Sequence, residues 1–323
     1  LVIEHGDEPV GVDLIAVGER QFGLISGEQV IAARANERPV VFVYEWFQQY
    51  PVGVVAPAAS GIASAEDLVG RRIGIPGRFG ASYAGFLALL AANGLVEQDV
   101  QLEPIGFNAP DVVCLGAVEA SVIYVNNEPL QIAQRAAAGE CGAADGVTVI
   151  PVAAAADMVS NGVITNEATI AQDPELVRAV VDGFDRGLRD TINNPAQAYL
   201  ISAVYVDNLP LTPELRTTLE AAADEQVAFL AENPDADRAT IAARREALAE
   251  DLRAEFDAAE LLQFEVLLAS IELWDADQLG VTEPDSWALT QDTLLLMDFI
   301  SAGIDLEAAY TNDFVPAAVP ATE

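Results

Sequence analysis

The sequence predicts an α/β protein of two lobes, each a mainly parallel sheet flanked by helices. Short apolar runs alternate with helical patterns over the first half of the chain, and only helical patterns follow after about Ala168. Such an alternation predicts mainly parallel sheets with helices on both faces. We expect lobe 1 to contain residues 1–56 and 153–323 and lobe 2 to contain residues 57–152, with a hinge and a ligand cleft between them.

Seven apolar runs in the first half predict strands, at residues 21–26, 39–44, 52–56, 72–76, 100–105, 120–124 and 147–152. The run at 39–44 (PVVFVY) is apolar almost throughout, which is typical of a strand buried on both faces. Helices are predicted between these strands at residues 28–35, 64–68 and 81–93, and Gly94 ends the last of them.

The second half carries repeated helix start signals. Asp173-Pro174 and Thr212-Pro213 each place an N-cap residue before a proline at the first helical position. The first signal predicts a helix that ends at about residue 193. Further helices are predicted from residue 213 and at residues 237–256, 258–273, 291–302 and 307–310.

The charged residues exclude several classes of function. The chain has 51 acidic and 15 basic residues, a formal net charge of −36, no lysine, and His5 as its one histidine. The absence of lysine excludes a P-loop lysine and a Schiff base, and a single histidine excludes zinc sites built on several histidines. A strongly acidic protein repels nucleic acid. We therefore expect a protein that is not an enzyme, holds no cofactor or metal, and binds no nucleic acid.

The termini and the apolar runs carry two more expectations. No run reaches about 18 apolar residues, so no membrane span is expected. Leu1 leads directly into a folded pattern with no signal peptide, which indicates a mature or truncated product.

Two segments of lobe 1 that follow predicted strands carry candidate ligand-binding residues. Ligands of open α/β sheets bind beyond the carboxyl ends of the strands. Trp46 and Phe47 follow the 39–44 strand and can stack on a flat heterocycle, or they can close the core of their lobe. Ser26 and Glu28 follow the 21–26 strand and can contact ligand or cap the next helix.

Two segments of lobe 2 are candidates of the same kind. Residues 77–80 lead into a helix N-terminus, which favours binding of an anion or a polar group. The alternative is an ordinary strand-to-helix turn. In the segment after the 120–124 strand, a carboxylate can accept hydrogen bonds from an amine of the ligand. The alternative is that an asparagine of this segment is the N-cap of the next helix. The candidate residues in these segments are Arg78, Phe79, Ser82, Tyr83, Tyr124, Asn126, Asn127 and Glu128.

Two further features of the sequence have two interpretations each. Asn161 lies where the chain is expected to cross between lobes for the second time, and it belongs to the hinge or to the cleft wall. Cys114 and Cys141 form a disulfide in an oxidising compartment or remain two buried thiols.

Six segments together resemble one family of proteins. They are residues 22–29 (FGLISGEQ), 39–51 (PVVFVYEWFQQYP), 60–70 (SGIASAEDLVG), 124–129 (YVNNEP), 160–167 (SNGVITNE) and 310–314 (YTNDF). They resemble the solute-binding proteins of ABC importers, in the subgroup that captures thiamine pyrimidine precursors and, in some members, riboflavin. The resemblance implies the type II periplasmic-binding-protein fold, whose two α/β lobes close on a ligand.

The resemblance also implies partners and a location. It implies a flat heteroaromatic vitamin as ligand, delivery to an ABC permease and ATPase complex, an extracytoplasmic location and a monomer. We favour riboflavin because many aromatic residues lie at predicted strand ends; a hydroxymethylpyrimidine or formylaminopyrimidine type of precursor is the alternative. A sensor lobe of a signalling receptor is another alternative.

A fungal branch of the same fold is a pyrimidine synthase that uses pyridoxal phosphate held by a lysine, and it is disfavoured here because this chain has no lysine. The sequence departs from the family in beginning at what resembles the second strand. A strand and helix that carry part of the ligand site are therefore expected to be missing.

Overall fold

The computed structural model describes residues 3–142 and 146–317, which form two sheets. The sheet of lobe 1 has the order β1-β8-β2, and that of lobe 2 has the order β5-β4-β6-β3-β7. The strands of lobe 1 are β1 (Gly23–Ser26), β2 (Val40–Glu45) and β8 (Asn161–Asn166). Those of lobe 2 are β3 (Val52–Pro57), β4 (Arg72–Ile75), β5 (Gln101–Pro104), β6 (Ala120–Tyr124) and β7 (Val147–Pro151).

Helices flank both sheets and make up most of the chain after β8. The α-helices are α1 (Glu8–Ala16), α2 (Gly27–Ala35), α3 (Gly80–Ala92), α4 (Ala109–Cys114), α5 (Glu128–Ala137), α6 (Glu167–Gln172), α7 (Pro174–Asn193), α8 (Pro195–Ser202), α9 (Pro213–Glu232), α10 (Arg238–Glu255), α11 (Ala258–Trp274) and α12 (Pro284–Leu296). Single 3₁₀ turns lie at Ala58–Ser60, Glu66–Leu68, Glu97–Asp99, Val152–Ala154 and Leu306–Ala308. Within the described ranges, no helix is both long enough and apolar enough to cross a bilayer.

Side-chain caps begin the helices of the second half, as the sequence predicts. The Asp173 carboxylate accepts a hydrogen bond from the Leu176 amide at 3.0 Å, and α7 has its predicted bounds. The Thr212 hydroxyl accepts from the Leu215 amide at 3.2 Å at the start of α9. Each such cap satisfies a backbone N–H that would otherwise lack a partner and stabilises its helix by about 1 kcal/mol.

The α/β class with two lobes is confirmed, whereas the predicted strand direction is wrong for most pairs. In lobe 1, β8 pairs antiparallel with both β1 and β2. In lobe 2, β4 is parallel to β5 and β6, but β3 is antiparallel to β6 and β7. The antiparallel strands β3 and β8 are those that the chain enters on passing from one lobe to the other, so they run against their neighbours. Both sheets are therefore flanked by helices as predicted, without being mainly parallel.

The predicted placement of residues 52–56 in lobe 1 is also wrong. These residues form β3, which pairs with β6 and β7 in the sheet of lobe 2. A local apolar run predicts a strand but not the sheet that the strand joins. We propose that the chain passes between lobes at about residues 46–51 and 152–160.

Two other expectations differ from the structure. The helix predicted at 291–302 is α12, which begins at Pro284 because Glu283-Pro284 is one more helix start signal. β8 was not among the predicted strands, although it is the central strand of lobe 1.

Each lobe has its own core. In lobe 1, the Trp287 ring is fully buried, stacks on Tyr310 at 4.9 Å between ring centroids, and meets the edge of Phe42 at 5.4 Å. In lobe 2, Phe86 of α3 packs against the sheet among buried valine and isoleucine side chains. A third cluster joins α8, α9, α10 and α11 around Phe264. Two separate cores allow the lobes to behave as separate bodies joined by the crossing segments.

Candidate functional site

A cluster of polar side chains lies where the lobes meet. The Ser26 hydroxyl contacts two carboxylates, with Oγ 2.9 Å from Glu8 Oε2 and 2.5 Å from Glu28 Oε1. The Asn161 amide nitrogen donates to Glu8 Oε1 at 3.2 Å. From lobe 2, the Tyr124 hydroxyl lies 3.4 Å from the Asn161 side-chain oxygen. We call these five residues the polar cluster.

The folded chain brings the polar cluster together from five elements, of which β6 contributes Tyr124. Ser26 ends β1 directly opposite Asn161 at the start of β8, and Glu28 lies in the first turn of α2. Glu8 is the first residue of α1. Gly27 fits beneath the second crossing segment because a Cβ there would lie 2.3 Å from the Val159 side chain. The Gly27 amide also donates to the Ser160 carbonyl at 3.1 Å, so the beginning of α2 is held against the crossing segment.

Burial makes both carboxyls of the polar cluster weak acids. Ser26 and Glu28 are almost fully buried, and Glu8 is half-buried. Desolvation, followed by the charge of Glu8, raises the pKa of Glu28 to about 8. Desolvation also raises the pKa of Glu8 above its ordinary value, against the hydrogen bonds from Ser26. Ionising both carboxyls at once is therefore unfavourable.

The Glu8 side chain also reaches toward lobe 2. Gly80, the first residue of α3, has a φ of +65°, and a Cβ on it would lie 3.2 Å from Glu8 Oε2. A carboxylate beside the first turn of a helix interacts favourably with the helix dipole. Glu8 thus links α1 of lobe 1 to the beginning of α3 in lobe 2.

The predicted residues after β6 take three different positions. Glu128 lies in the first turn of α5, where its carboxylate accepts a hydrogen bond from the Tyr124 amide at 3.0 Å and burial raises its pKa. The Asn126 amide donates to the Ser270 hydroxyl of α11 at 2.7 Å, a contact between lobes. Asn127 accepts from Gln131 at 2.7 Å and does not cap α5 through its side chain. Only Tyr124 of this segment reaches the polar cluster.

The predicted residues of the loop before α3 lie nearer the surface. Arg78 forms an exposed ion pair with Glu97 at 2.9 Å, and the Tyr83 hydroxyl donates to the same carboxylate at 2.5 Å. The Tyr83 ring also lies 5.7 Å from that of Phe299 in lobe 1. Phe79 is 42% exposed, whereas Ser82 is buried in α3. Their contact with a ligand stays a prediction.

The aromatic residues after β2 pack mainly within lobe 1. The Trp46 ring lies 4.8 Å from Phe47 and 5.4 Å from Trp274 of α11, between ring centroids. Phe47 is buried and meets Tyr124 of lobe 2 edge-on at 6.4 Å. Phe47 therefore connects the aromatic rings of lobe 1 to the polar cluster, and Trp46 lies on the side of Phe47 away from that cluster.

Two cavities lie outside the polar cluster. A groove of about 1010 Å³ in lobe 1 runs between α7, α8 and α11 and includes Trp46 and Trp274 in its lining. A smaller cavity of about 310 Å³ is lined by Glu45, Asp157 and Glu283, among others. In the portion of the chain that the structure describes, no three acidic, histidine or cysteine side chains are close enough to hold a metal ion.

Cys114 and Cys141 are joined by a disulfide across 27 positions. The bond connects the end of α4 to the segment that follows α5, within lobe 2. It lies apart from the polar cluster, so its role is structural.

Glu8 is the member of the polar cluster that sequence reasoning missed. A signal was present, because Asp7-Glu8-Pro9 resembles the helix start at Asp173-Pro174, with the proline one position later. That pattern predicts the start of α1, but not that its first residue faces Ser26. Of the predicted residues, the structure brings Ser26, Glu28, Tyr124 and Asn161 together.

Comparisons with known proteins give a consistent result. Residues 2–198 match the family model described as NMT1/THI5 like. The riboflavin-binding protein RibY of Chloroflexus aurantiacus is 31% identical over 300 residues, which cover 91% of this chain and 70% of RibY. The 4-amino-5-hydroxymethyl-2-methylpyrimidine phosphate synthase of Legionella pneumophila is 26% identical over 220 residues, which cover 68% of this chain and 65% of the synthase.

Solved structures with the same fold are more distant in sequence. The periplasmic aliphatic sulphonate binding protein SsuA from Escherichia coli superposes with a TM-score of 0.57 at 15% identity, over 95% of this chain and 80% of SsuA. A ligand-binding component of an ABC-type import system from Staphylococcus aureus gives a TM-score of 0.56 at 7% identity, over 98% of this chain and 87% of that protein. At these identities the likeness concerns the fold, which is that of two-lobed periplasmic binding proteins.

Proposed function

Because this chain belongs to the NMT1/THI5-like family, we propose that it binds a flat heteroaromatic vitamin, riboflavin in the first place, for an ABC-type import system. The chain is a solute-binding protein, and the family relative that binds riboflavin supports this ligand. Delivery to a permease and ATPase complex, an extracytoplasmic location and a monomeric state are parts of the same proposal.

The observation that carries the proposal is a polar cluster built from both lobes. Ser26, Glu28 and Asn161 belong to lobe 1, and Tyr124 belongs to lobe 2. A ligand that contacts both sets binds the closed arrangement of lobes more tightly than the open one, and this difference drives closure. Buried hydroxyl, amide and carboxyl groups suit a ligand rich in hydrogen bonds, and Phe47 adds an aromatic edge beside Tyr124.

The residues favour binding over catalysis. The chain has no lysine for a Schiff base, and its one histidine, His5, is exposed. A histidine-based general base is therefore lacking at the polar cluster, and the carboxyls there are hydrogen-bonded to Ser26 and Asn161.

A thiamine pyrimidine precursor is the second candidate ligand. The observation in its favour is the pair of carboxyls, Glu8 and Glu28, beside which an aminopyrimidine could place its amino group as a donor. The relative named as a pyrimidine phosphate synthase supports the same class of compound.

Riboflavin titration of the purified protein tests the proposal. We expect quenched flavin emission on binding, and weaker binding by Tyr124→Phe, which removes only the hydroxyl group near Asn161. Arg253→Gln, on α10, serves as a control because its ion pairs with Glu246 and Glu265 lie among the helices of lobe 1. If riboflavin leaves the emission unchanged while an aminopyrimidine binds in calorimetry, the ligand is the pyrimidine precursor.

A further inference from the structure

The carboxyl pair of the polar cluster has an unused hydrogen-bond acceptor. Glu8 and Glu28 share the single hydroxyl of Ser26. The second oxygen of Glu28, Oε2, is buried and has no hydrogen-bond partner among the described residues. A buried polar atom without a partner is costly, so this oxygen favours a ligand that brings a hydrogen-bond donor.

Basic groups do not balance the pair. The ion pairs within the described ranges include neither Glu8 nor Glu28. Arg78 lies two residues before Gly80, but its guanidinium is held by Glu97. An anionic group that entered the polar cluster would meet carboxyl oxygens instead of an arginine.

The helix N-termini at the polar cluster, which would attract an anion, already have carboxyl groups beside them: Glu8 begins α1 and Glu28 lies in the first turn of α2. The beginning of α3 carries partial positive charge, and Glu8 Oε2 lies beside its first residue, Gly80. A phosphate that approached this helix end would have to displace a carboxylate attached to the protein.

We infer that Glu8 and Glu28 make the cleft select the unphosphorylated form of its ligand and reject the corresponding phosphate ester. The inference rests on the proposed function, since it concerns the ligand of the same cleft. Uncharged hydroxyl and N–H groups satisfy the carboxyl oxygens, whereas a phosphate dianion adds acceptors and like charge. With a charge separation of a few ångströms in a partly buried site, the phosphate ester binds on the order of 100-fold more weakly.

The test compares riboflavin with riboflavin 5′-phosphate on the intact protein, by flavin emission at pH 7.5. We expect the wild-type protein to prefer riboflavin by on the order of 100-fold. Glu8→Gln keeps the shape of the side chain and removes its charge, so it reduces this preference by about tenfold. Glu28→Gln reduces the preference less, because burial raises the pKa of Glu28 to about 8 and keeps much of this carboxyl protonated at pH 7.5. Glu250→Gln removes an exposed carboxylate of α10 and should leave the preference unchanged.

Equal affinity of the wild-type protein for the two flavins overturns the inference, as does an unchanged preference in Glu8→Gln. Because Glu8 is only half-buried, that variant keeps the test informative if Glu28→Gln does not fold. If neither flavin binds, the same comparison is made with 4-amino-5-hydroxymethyl-2-methylpyrimidine and its phosphate, and a preference for the phosphate overturns the inference while the importer function stands. If none of the four compounds binds, the proposed function fails, and the inference fails with it.

Discussion

Replacing Glu45 with glutamine should stabilise the protein relative to the wild type, by an amount that grows as the pH rises. Glu45 is the last residue of β2 and is 8% exposed. Its Oε1 accepts a hydrogen bond from the Ser160 amide of the second crossing segment at 3.3 Å. Burial raises the pKa of this carboxyl from 4.5 to about 8, with smaller contributions from the charges of Asp157 and Glu283. Glutamine keeps the acceptor oxygen and removes the proton equilibrium.

The size and sign of the effect follow from the two pKa values. Between pH 4.5 and 8 the folded protein keeps a proton on Glu45 that the unfolded chain has lost. Stability contributed by the protonated form is present below pH 4.5 and is lost as the pH rises to about 8. The free energy of unfolding of the wild type therefore falls relative to Glu45→Gln by up to about 1.4 kcal/mol per pH unit, or about 3 kcal/mol between pH 5 and pH 7.

Urea unfolding at pH 5, 6, 7 and 8 measures this difference. At each pH, the free energy of unfolding of the wild type is subtracted from that of the variant. This difference removes the contribution of Glu28, whose pKa is also raised and which is present in both proteins. Glu250→Gln, which removes an exposed carboxylate, should give a difference that hardly changes with pH. A stability difference for Glu45→Gln that stays constant from pH 5 to pH 8 would refute the reasoning.

Four further variants test the packing of the fold. Breaking the Cys114–Cys141 disulfide, by the double serine variant, should lower the free energy of unfolding by about 3 kcal/mol for a loop of this length, and an unchanged thermal midpoint would contradict this. Gly162→Ala should destabilise by about 2 kcal/mol, because its Cβ would lie 2.1 Å from an aromatic ring carbon of β2. Gly183→Ala, with open space around its Cβ in α7, should instead stabilise by about 0.5–1 kcal/mol, and both can be measured by urea unfolding. Trp287→Ala should cost about 3–5 kcal/mol, since the ring is fully buried, and retention of the wild-type urea midpoint would exclude a core role.

Local patterns predicted most elements of the fold, whereas the pairing of strands required the structure. Strand β6 and helix α7 have the predicted bounds, because an apolar run and a capped helix start are properties of adjacent residues. β8 escaped prediction because its short apolar run lies between Asn161 and Asn166. Its place between β1 and β2 depends on partners more than 100 positions away. The direction of pairing depends in the same way on how the chain returns from lobe 2.

The site was predictable to a similar extent. Ser26, Glu28 and Tyr124 were found because they follow apolar runs, and the ends of strands meet at the cleft. Glu8 follows no strand, and its contact with Ser26 depends on how α1 packs on the sheet. Residue type alone did not separate Trp46, which packs in lobe 1, from Phe47, which touches Tyr124.

The positions of the three tryptophans supply a built-in optical signal. Trp287 is enclosed in the core of lobe 1, where relative movement of the lobes leaves its surroundings unchanged. Trp46 and Trp274 form one group with Phe47, whose ring touches Tyr124 of the opposite lobe. Of the three tryptophans, only Trp46 and Trp274 would then gain contact with water when the lobes separate. Indole emission from the unlabelled protein can therefore follow opening and closing in real time, with Trp287 as a constant background.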